Sequence, residues 1–223
     1  MKCVNKIIKS KGRNQLVGQR PKKIGIYSGT FDPVHKGHIT FALEAAKQAG
    51  VEIVYFLPDL VPHRKEGVTH YAHRTAMLKL ALRPYPALRV LELADKQFTI
   101  TRTLPKLKRL FPHDELHLLM GTDVLQSLRE GHWPHAERLL AEVRLVVGVR
   151  AQADLRRAQQ ILATIQPHGL AIETGRPAAS SRAIRNALQD GKTHHELLES
   201  IKKYITENWL YVTVESVAPA NNS

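Results

Sequence analysis

The chain has 223 residues, 43% of them hydrophobic and 24% charged, with a formal net charge of +13 and a single cysteine, Cys3. No apolar run approaches the ~20 residues of a membrane-spanning helix, one cysteine cannot close an internal disulfide, and the basic start lacks the apolar stretch of a secretory signal. These features argue against a membrane span and against an exported disulfide scaffold, and a cytoplasmic protein is expected.

Residues 1–23 carry Lys2, Lys6, Lys9, Lys11, Arg13, Arg20, Lys22 and Lys23 and no acid, which is 8 of the 13 net charges. The excess is therefore mainly a property of these first 23 residues, and the N-terminal arm, 1–21, reads as a flexible, solvated segment. A polyanion-binding arm is the sharper alternative. No aromatic residue interleaves its charges, so a base-stacking platform is not supported, and nucleic acid is not an expected partner except through this arm.

After the arm, apolar runs alternate with helical spacings. Lys23–Tyr27 reads as a strand. The stretch from His38 has helical spacing and ends at Gly50, a C-cap residue. Val51–Pro58 is a second strand and 70–82 a helix. Leu88–Leu93 is a third strand, and 101–112 a helix whose first turn must hold Pro105. Glu115–Met120 is a strand, after which Gly121-Thr122-Asp123 opens a helix. Val143–Val149 is a strand, 153–165 a helix, and 169–174 the last strand. Helices from about Ser180 and about Thr193 follow, and 212–223 reads as a frayed tail. Near-continuous apolar strands alternating with helices predict an α/β fold: a Rossmann-like, doubly wound, mostly parallel sheet with helices on both faces, in one domain over 22–211. In such sheets ligands bind beyond the carboxyl ends of the strands, where the strand order reverses.

Chemistry concentrates at the end of the first strand, in Tyr27–His38, "YSGTFDPVHKGH". Gly29 permits a tight turn or close ligand approach. Asp32-Pro33 reads as N-cap followed by the first helical residue. His35 and His38 then share one side of the first turn, and Gly37 leaves the backbone between them open. Free N–H groups, a positive dipole end and two imidazoles make an anion site, best suited to a polyphosphate. No cysteine or carboxylate stands at zinc spacing beside the two histidines. A second cradle of the same kind is Ala179–Arg185, "ASSRAIR". Ser180 or Ser181 caps a helix there, and Arg182 and Arg185 lie three apart.

The first stretch resembles the G-[TS]-F-D-P-x-H-x-G-H signature of the adenylyl- and cytidylyltransferase superfamily, with Gly29, Thr30, Phe31, Asp32, Pro33, His35, Gly37 and His38 matching and Ser28 standing where a glycine is usual. The second resembles the I-S-S-[TS]-x-I-R motif of the nicotinate and nicotinamide mononucleotide adenylyltransferases. "GTDVLQSL…W…LL", Gly121–Leu140, is similar to that family's G-[TAS]-D-x-[LF] segment with its tryptophan, and "VPHRK", Val61–Lys65, to its P-P-H-K. Phe98–Thr103 departs from the family's S-Y-T-x-x-T pattern.

The resemblance, spanning Lys22 to Leu210, implies adenylyl transfer from ATP to nicotinate mononucleotide, giving deamido-NAD and pyrophosphate, with Mg²⁺ accompanying ATP. It implies that His35, His38 and Arg185 are catalytic. It places ATP against Gly29, Thr30, Phe31, Gly37, Gly121, Asp123, Ser180, Ser181 and Ile184. It places the mononucleotide against His63, Lys65 and Trp133, and assigns no protein metal ligand. Nicotinamide mononucleotide as acceptor and another small-molecule nucleotidyltransferase are the alternatives within the class. A nucleotide-binding regulator is the alternative outside it. An oxidoreductase is argued against by the lack of G-x-G-x-x-G after the first strand.

Overall fold

A computed structural model describes residues 20–62, 67–149, 151–174 and 180–212. The arm through residue 19, His63 and Lys65, and the tail from 213 lie outside the described residues. Of the arm, Arg20 pairs with Glu52 at 3.4 Å.

Six strands form one parallel sheet: β1 (Lys23–Gly29), β2 (Ile53–Pro58), β3 (Leu88–Val90), β4 (Glu115–Gly121), β5 (Arg144–Val149) and β6 (Leu170–Glu173). Their spatial order is β3-β2-β1-β4-β5-β6, so the chain reverses direction across the sheet between β1 and β4. The described helices are α1 (Lys36–Ala49), α2 (Tyr71–Leu82), α3 (Thr103–Leu110), α4 (Thr122–Arg129), α5 (Ala136–Glu142), α6 (Gln152–Ile165), α7 (Ser181–Gln189) and α8 (Glu199–Glu207). None of them is long and apolar enough to cross a membrane.

The strands are apolar on both sides because each face of the sheet builds a core, and successive side chains alternate between them. On β4, Leu116, Leu118 and Met120 enter one core with Leu104 and Leu107 of α3, Leu125 of α4, Leu139 of α5 and Ile161 of α6. Leu119 enters the other, with Phe41 and Ala45 of α1, Met77 and Leu78 of α2, Ile184 of α7 and Ile201 of α8. Gly50 closes α1 at φ 66°, a left-handed conformation that glycine adopts without a Cβ clash. Pro105 falls in the first turn of α3, where a missing N–H costs nothing.

Three local expectations are corrected. Asp32-Pro33 does not start α1: His35 is its N-cap and Lys36 its first residue. The third strand stops at Val90. The last helix begins at Glu199, not near Thr193, because the preceding segment folds over the start of α1: Lys36 donates from Nζ to the His195 carbonyl at 2.7 Å and from its backbone N–H to the Glu196 carbonyl at 3.0 Å.

Candidate active site

A cleft of about 1030 Å³ opens beyond the carboxyl ends of the strands, at the reversal between β1 and β4. Its walls come from the β1–α1 loop (Gly29, Thr30, Phe31), the first turn of α1 (Gly37, His38) with its cap His35, and the end of β4 (Gly121, Asp123). Trp133, the Gln97–Thr101 segment, Gly148 of β5 and the start of α7 (Ser180, Ser181) complete it.

His35 and His38 are brought together by the cap of α1. The His35 backbone N–H donates to His38 Nδ1 at 3.3 Å, and the two rings lie 3.8 Å apart, tilted by 34°. With Nδ1 accepting, a neutral His38 ring carries its proton on Nε2, where it is a donor. Tyr27 and Phe31 pack edge-on at 5.3 Å, and Phe31 meets the His38 ring at 5.1 Å. Phe31 sits at φ 50°, a backbone conformation uncommon for a bulky side chain.

The second cradle docks on the same loop. Ser180 caps α7, its Oγ accepting from the Ala183 N–H at 3.1 Å, while the Ser181 hydroxyl donates to the Pro33 carbonyl at 3.0 Å. Arg185, one turn further on, donates from Nη1 to the Asp32 carbonyl at 2.7 Å. The guanidinium thus stands beside the histidine loop without itself lining the cleft. Ile184 is 0% exposed in the core, so its side chain anchors the helix from behind.

At the far wall, a Cβ on Gly121 would lie 2.7 Å from Asp123 Oδ1, so the glycine gives the carboxylate room to fold over the start of α4. Trp133 lines the cleft 6.2 Å from the Phe98 ring. On the floor, a Cβ on Gly148 would come within 2.8 Å of the Phe41 ring.

Two residues that shape this site carry no motif. Arg74 is only 1% exposed. Its guanidinium donates to the carbonyls of Thr69 (2.8 Å), Thr30 (2.7 Å) and Asp59 (2.8 Å), joining the β1–α1 loop to both ends of the segment between β2 and α2. Burial lowers its pKa, and the nearby Asp32 and Asp59 carboxylates oppose that. The signal was present in the sequence: Arg74 lies on the helical stripe of Met77, Leu78 and Ala81, a cation among core positions. The other is Tyr211, whose hydroxyl donates to Asp32 Oδ1 at 2.6 Å. Nothing local in the sequence pairs residues so far apart.

Among the described residues no group of three or more histidine, cysteine, aspartate or glutamate side chains could hold a metal ion. The donor set of the cleft, imidazoles and hydroxyls with the separate carboxylates Asp59 and Asp123, suits an anion that brings its own cation.

The Cytidylyltransferase-like family model matches residues 26–187. A protein of Carboxydothermus hydrogenoformans, described as a probable nicotinate-nucleotide adenylyltransferase, is 35% identical over 198 residues, 85% of this chain and 98% of the relative. The nicotinate-nucleotide adenylyltransferase of Bacillus subtilis is 32% identical over 198 residues, again 85% of this chain and 98% of its own length. Among solved structures, the Plasmodium falciparum nicotinic acid mononucleotide adenylyltransferase complexed with NaAD superposes with a TM-score of 0.72 at 18% identity, covering 85% of this chain and 97% of that one. The match therefore takes in the sheet, the two-histidine loop and the start of α7 together, and the chain belongs to the cytidylyltransferase-like family, in its nicotinate-nucleotide adenylyltransferase branch.

Proposed function

We propose that this protein transfers the adenylyl group of MgATP to nicotinate mononucleotide, forming deamido-NAD and releasing pyrophosphate. The observation that carries the reading is the docking of the α7 start, through Ser181 and Arg185, on the loop that presents His35 and His38. Two anion cradles then face one nucleotide-sized cleft. The names of the relatives support the acceptor, as does the neighbour complexed with NaAD, while another structure of that neighbour, complexed with the ATP analogue APC, supports the donor.

The acceptor's 5′-phosphate oxygen attacks the α-phosphorus of ATP in line. The new P–O bond forms as the bond from the α-phosphorus to the bridging oxygen breaks, and the electron pair leaves with pyrophosphate. Nucleophile and leaving group are both phosphate oxyanions, so neither a covalent intermediate nor a strong general base is required. The protein's work is alignment and charge stabilisation. His35 and His38 donate to the α- and β-phosphate oxygens as charge shifts toward the leaving group. The capped start of α7 and its serines receive the departing pyrophosphate, while Arg185 holds the Asp32 carbonyl and adds its positive charge beside them. Gly121 and Asp123 take the adenosine ribose, whose hydroxyls suit a carboxylate. Trp133 offers its face to the cationic pyridine ring. His63 and Lys65 are assigned to the mononucleotide phosphate. Mg²⁺ enters as part of the MgATP substrate, held chiefly by phosphate oxygens and water.

The test is pyrophosphate release from MgATP with nicotinate mononucleotide, with nicotinamide mononucleotide, and with neither. Release dependent on nicotinate mononucleotide, with the deamido dinucleotide as product, is expected. Release that prefers the amide overturns the choice of acceptor, and no release with either overturns the reading.

A further inference from the structure

The described chain ends by returning to the histidine loop. After α8, Trp209 and Tyr211 both adopt left-handed backbone, at φ 50° and 62°. Side chains other than glycine take that conformation only where surrounding contacts hold it. The double bend packs the Tyr211 ring against the core shared by α1, α2 and α8 and brings its hydroxyl to Asp32 Oδ1 at 2.6 Å, across 179 residues of sequence.

Asp32 is 2% exposed, and a buried carboxylate needs donors. Its other oxygen accepts from the Thr69 backbone N–H at 3.4 Å and lies 3.9 Å from Arg185 Nη1. The Thr69 side chain stands beside the same phenol and partly offsets the rise in its pKa. The strongest of these bonds, by distance, comes from the tyrosine. Three residues beyond Asp32 is His35, the cap of α1, with its ring against His38.

From this convergence we infer that Tyr211 is a positioning residue for adenylyl transfer, its hydroxyl fixing, through Asp32, the loop on which His35 and His38 meet the triphosphate. The inference rests on the function proposed above. It separates two roles of one side chain: the ring fills space beside the core, whereas the hydroxyl only holds Asp32. Burial first, and the Asp32 charge second, push the tyrosine's pKa far above its ordinary value, so the hydroxyl remains a donor at working pH. A misplacement of well under 1 Å at the histidines is enough to slow an in-line transfer.

The test compares Tyr211→Phe, which keeps the ring, with Tyr204→Phe, which removes a hydroxyl on α8 that bonds His73 at 3.0 Å and not Asp32. For Tyr211→Phe, kcat is expected to fall about 10- to 100-fold, with KM for ATP within about twofold. The imidazole proton NMR signals of His35 and His38 should shift. Tyr204→Phe should keep kcat within about twofold of wild type. Should Tyr211→Phe not fold, Thr69→Val carries the test: it keeps the backbone donor to Asp32, replaces the polar group beside the phenol with a methyl, and is expected to lower kcat about threefold with the same two signals moved. Unchanged kcat with unmoved histidine signals overturns the inference, as does an equal loss in Tyr204→Phe, which would mean general loosening of α8. If the wild-type protein releases no pyrophosphate, the adenylyltransferase reading fails. The histidine signals then still decide the tether, and unmoved signals in Tyr211→Phe overturn it.

Discussion

The Ser181 hydroxyl donates to the Pro33 carbonyl at 3.0 Å, tying the first residue of α7 to the loop that presents His35. Its neighbour Ser180 does something different, capping the helix at the Ala183 N–H. The two serines of one motif are therefore expected to separate on mutation. Ser180→Ala should cost about 1 kcal/mol of stability in urea unfolding, as the loss of a cap does. Ser181→Ala should lower kcat for pyrophosphate release about tenfold, the effect of one lost hydrogen bond at the site.

His38→Ala is expected to lower kcat by about 10²–10³-fold, the usual effect of removing one preorganised donor to a developing oxyanion. Its circular dichroism should match the wild type, because the ring lies at the cleft and not in either core. A variant that turned over normally would remove His38 from the chemistry.

Arg74 should behave as a structural brace. Arg74→Ala strands carbonyls of Thr30, Asp59 and Thr69 without their donor, and is expected to cost about 3 kcal/mol or more in equilibrium unfolding. Arg74→Lys keeps a cation but not the planar fork, and should recover only part of that loss.

Trp133 and Trp209 are the two tryptophans, and Trp209 is 70% exposed, away from the cleft. In a Trp209→Phe background, binding of the mononucleotide should quench the remaining emission. Trp133→Ala should raise KM for the mononucleotide about tenfold, as for loss of one aromatic stacking partner, and leave KM for ATP within about twofold.

Stability should fall on the acid side of neutrality through His117. It is buried near the amino end of β4, and burial lowers its pKa below the ordinary 6.5 against the opposing pull of Glu115. The unfolded chain therefore binds a proton that the folded chain refuses. The penalty is absent above about pH 7, begins as pH falls through 6.5, and grows by up to about 1.4 kcal/mol per unit until the folded pKa is reached. His117→Gln should flatten that slope in urea unfolding between pH 5 and 8.

What the sequence disclosed was local. Apolar runs with flanking turn residues marked the strands, and Gly50 and Pro105 marked a helix end and a helix start, because each signal rests on the backbone chemistry of a few neighbours. Asp32 shows where such reading stops. Its place before a proline suits an N-cap, yet in the fold its carboxylate is bound by Tyr211 and Thr69, and α1 starts only after His35. Helix α5 is seven residues long and too short for a periodic pattern to declare itself. The contacts of Arg74, Arg185 and Tyr211 join segments that meet only through the sheet order, which no short window contains.

The floor of the cleft offers a different handle. The Phe41 ring of α1 occupies the space where a Cβ on Gly148 would stand, 2.8 Å from its nearest atoms. A methyl group added at position 148 would displace a ring that lines the cleft and packs on Tyr27, so the cavity's shape can be retuned from beneath by a single carbon atom.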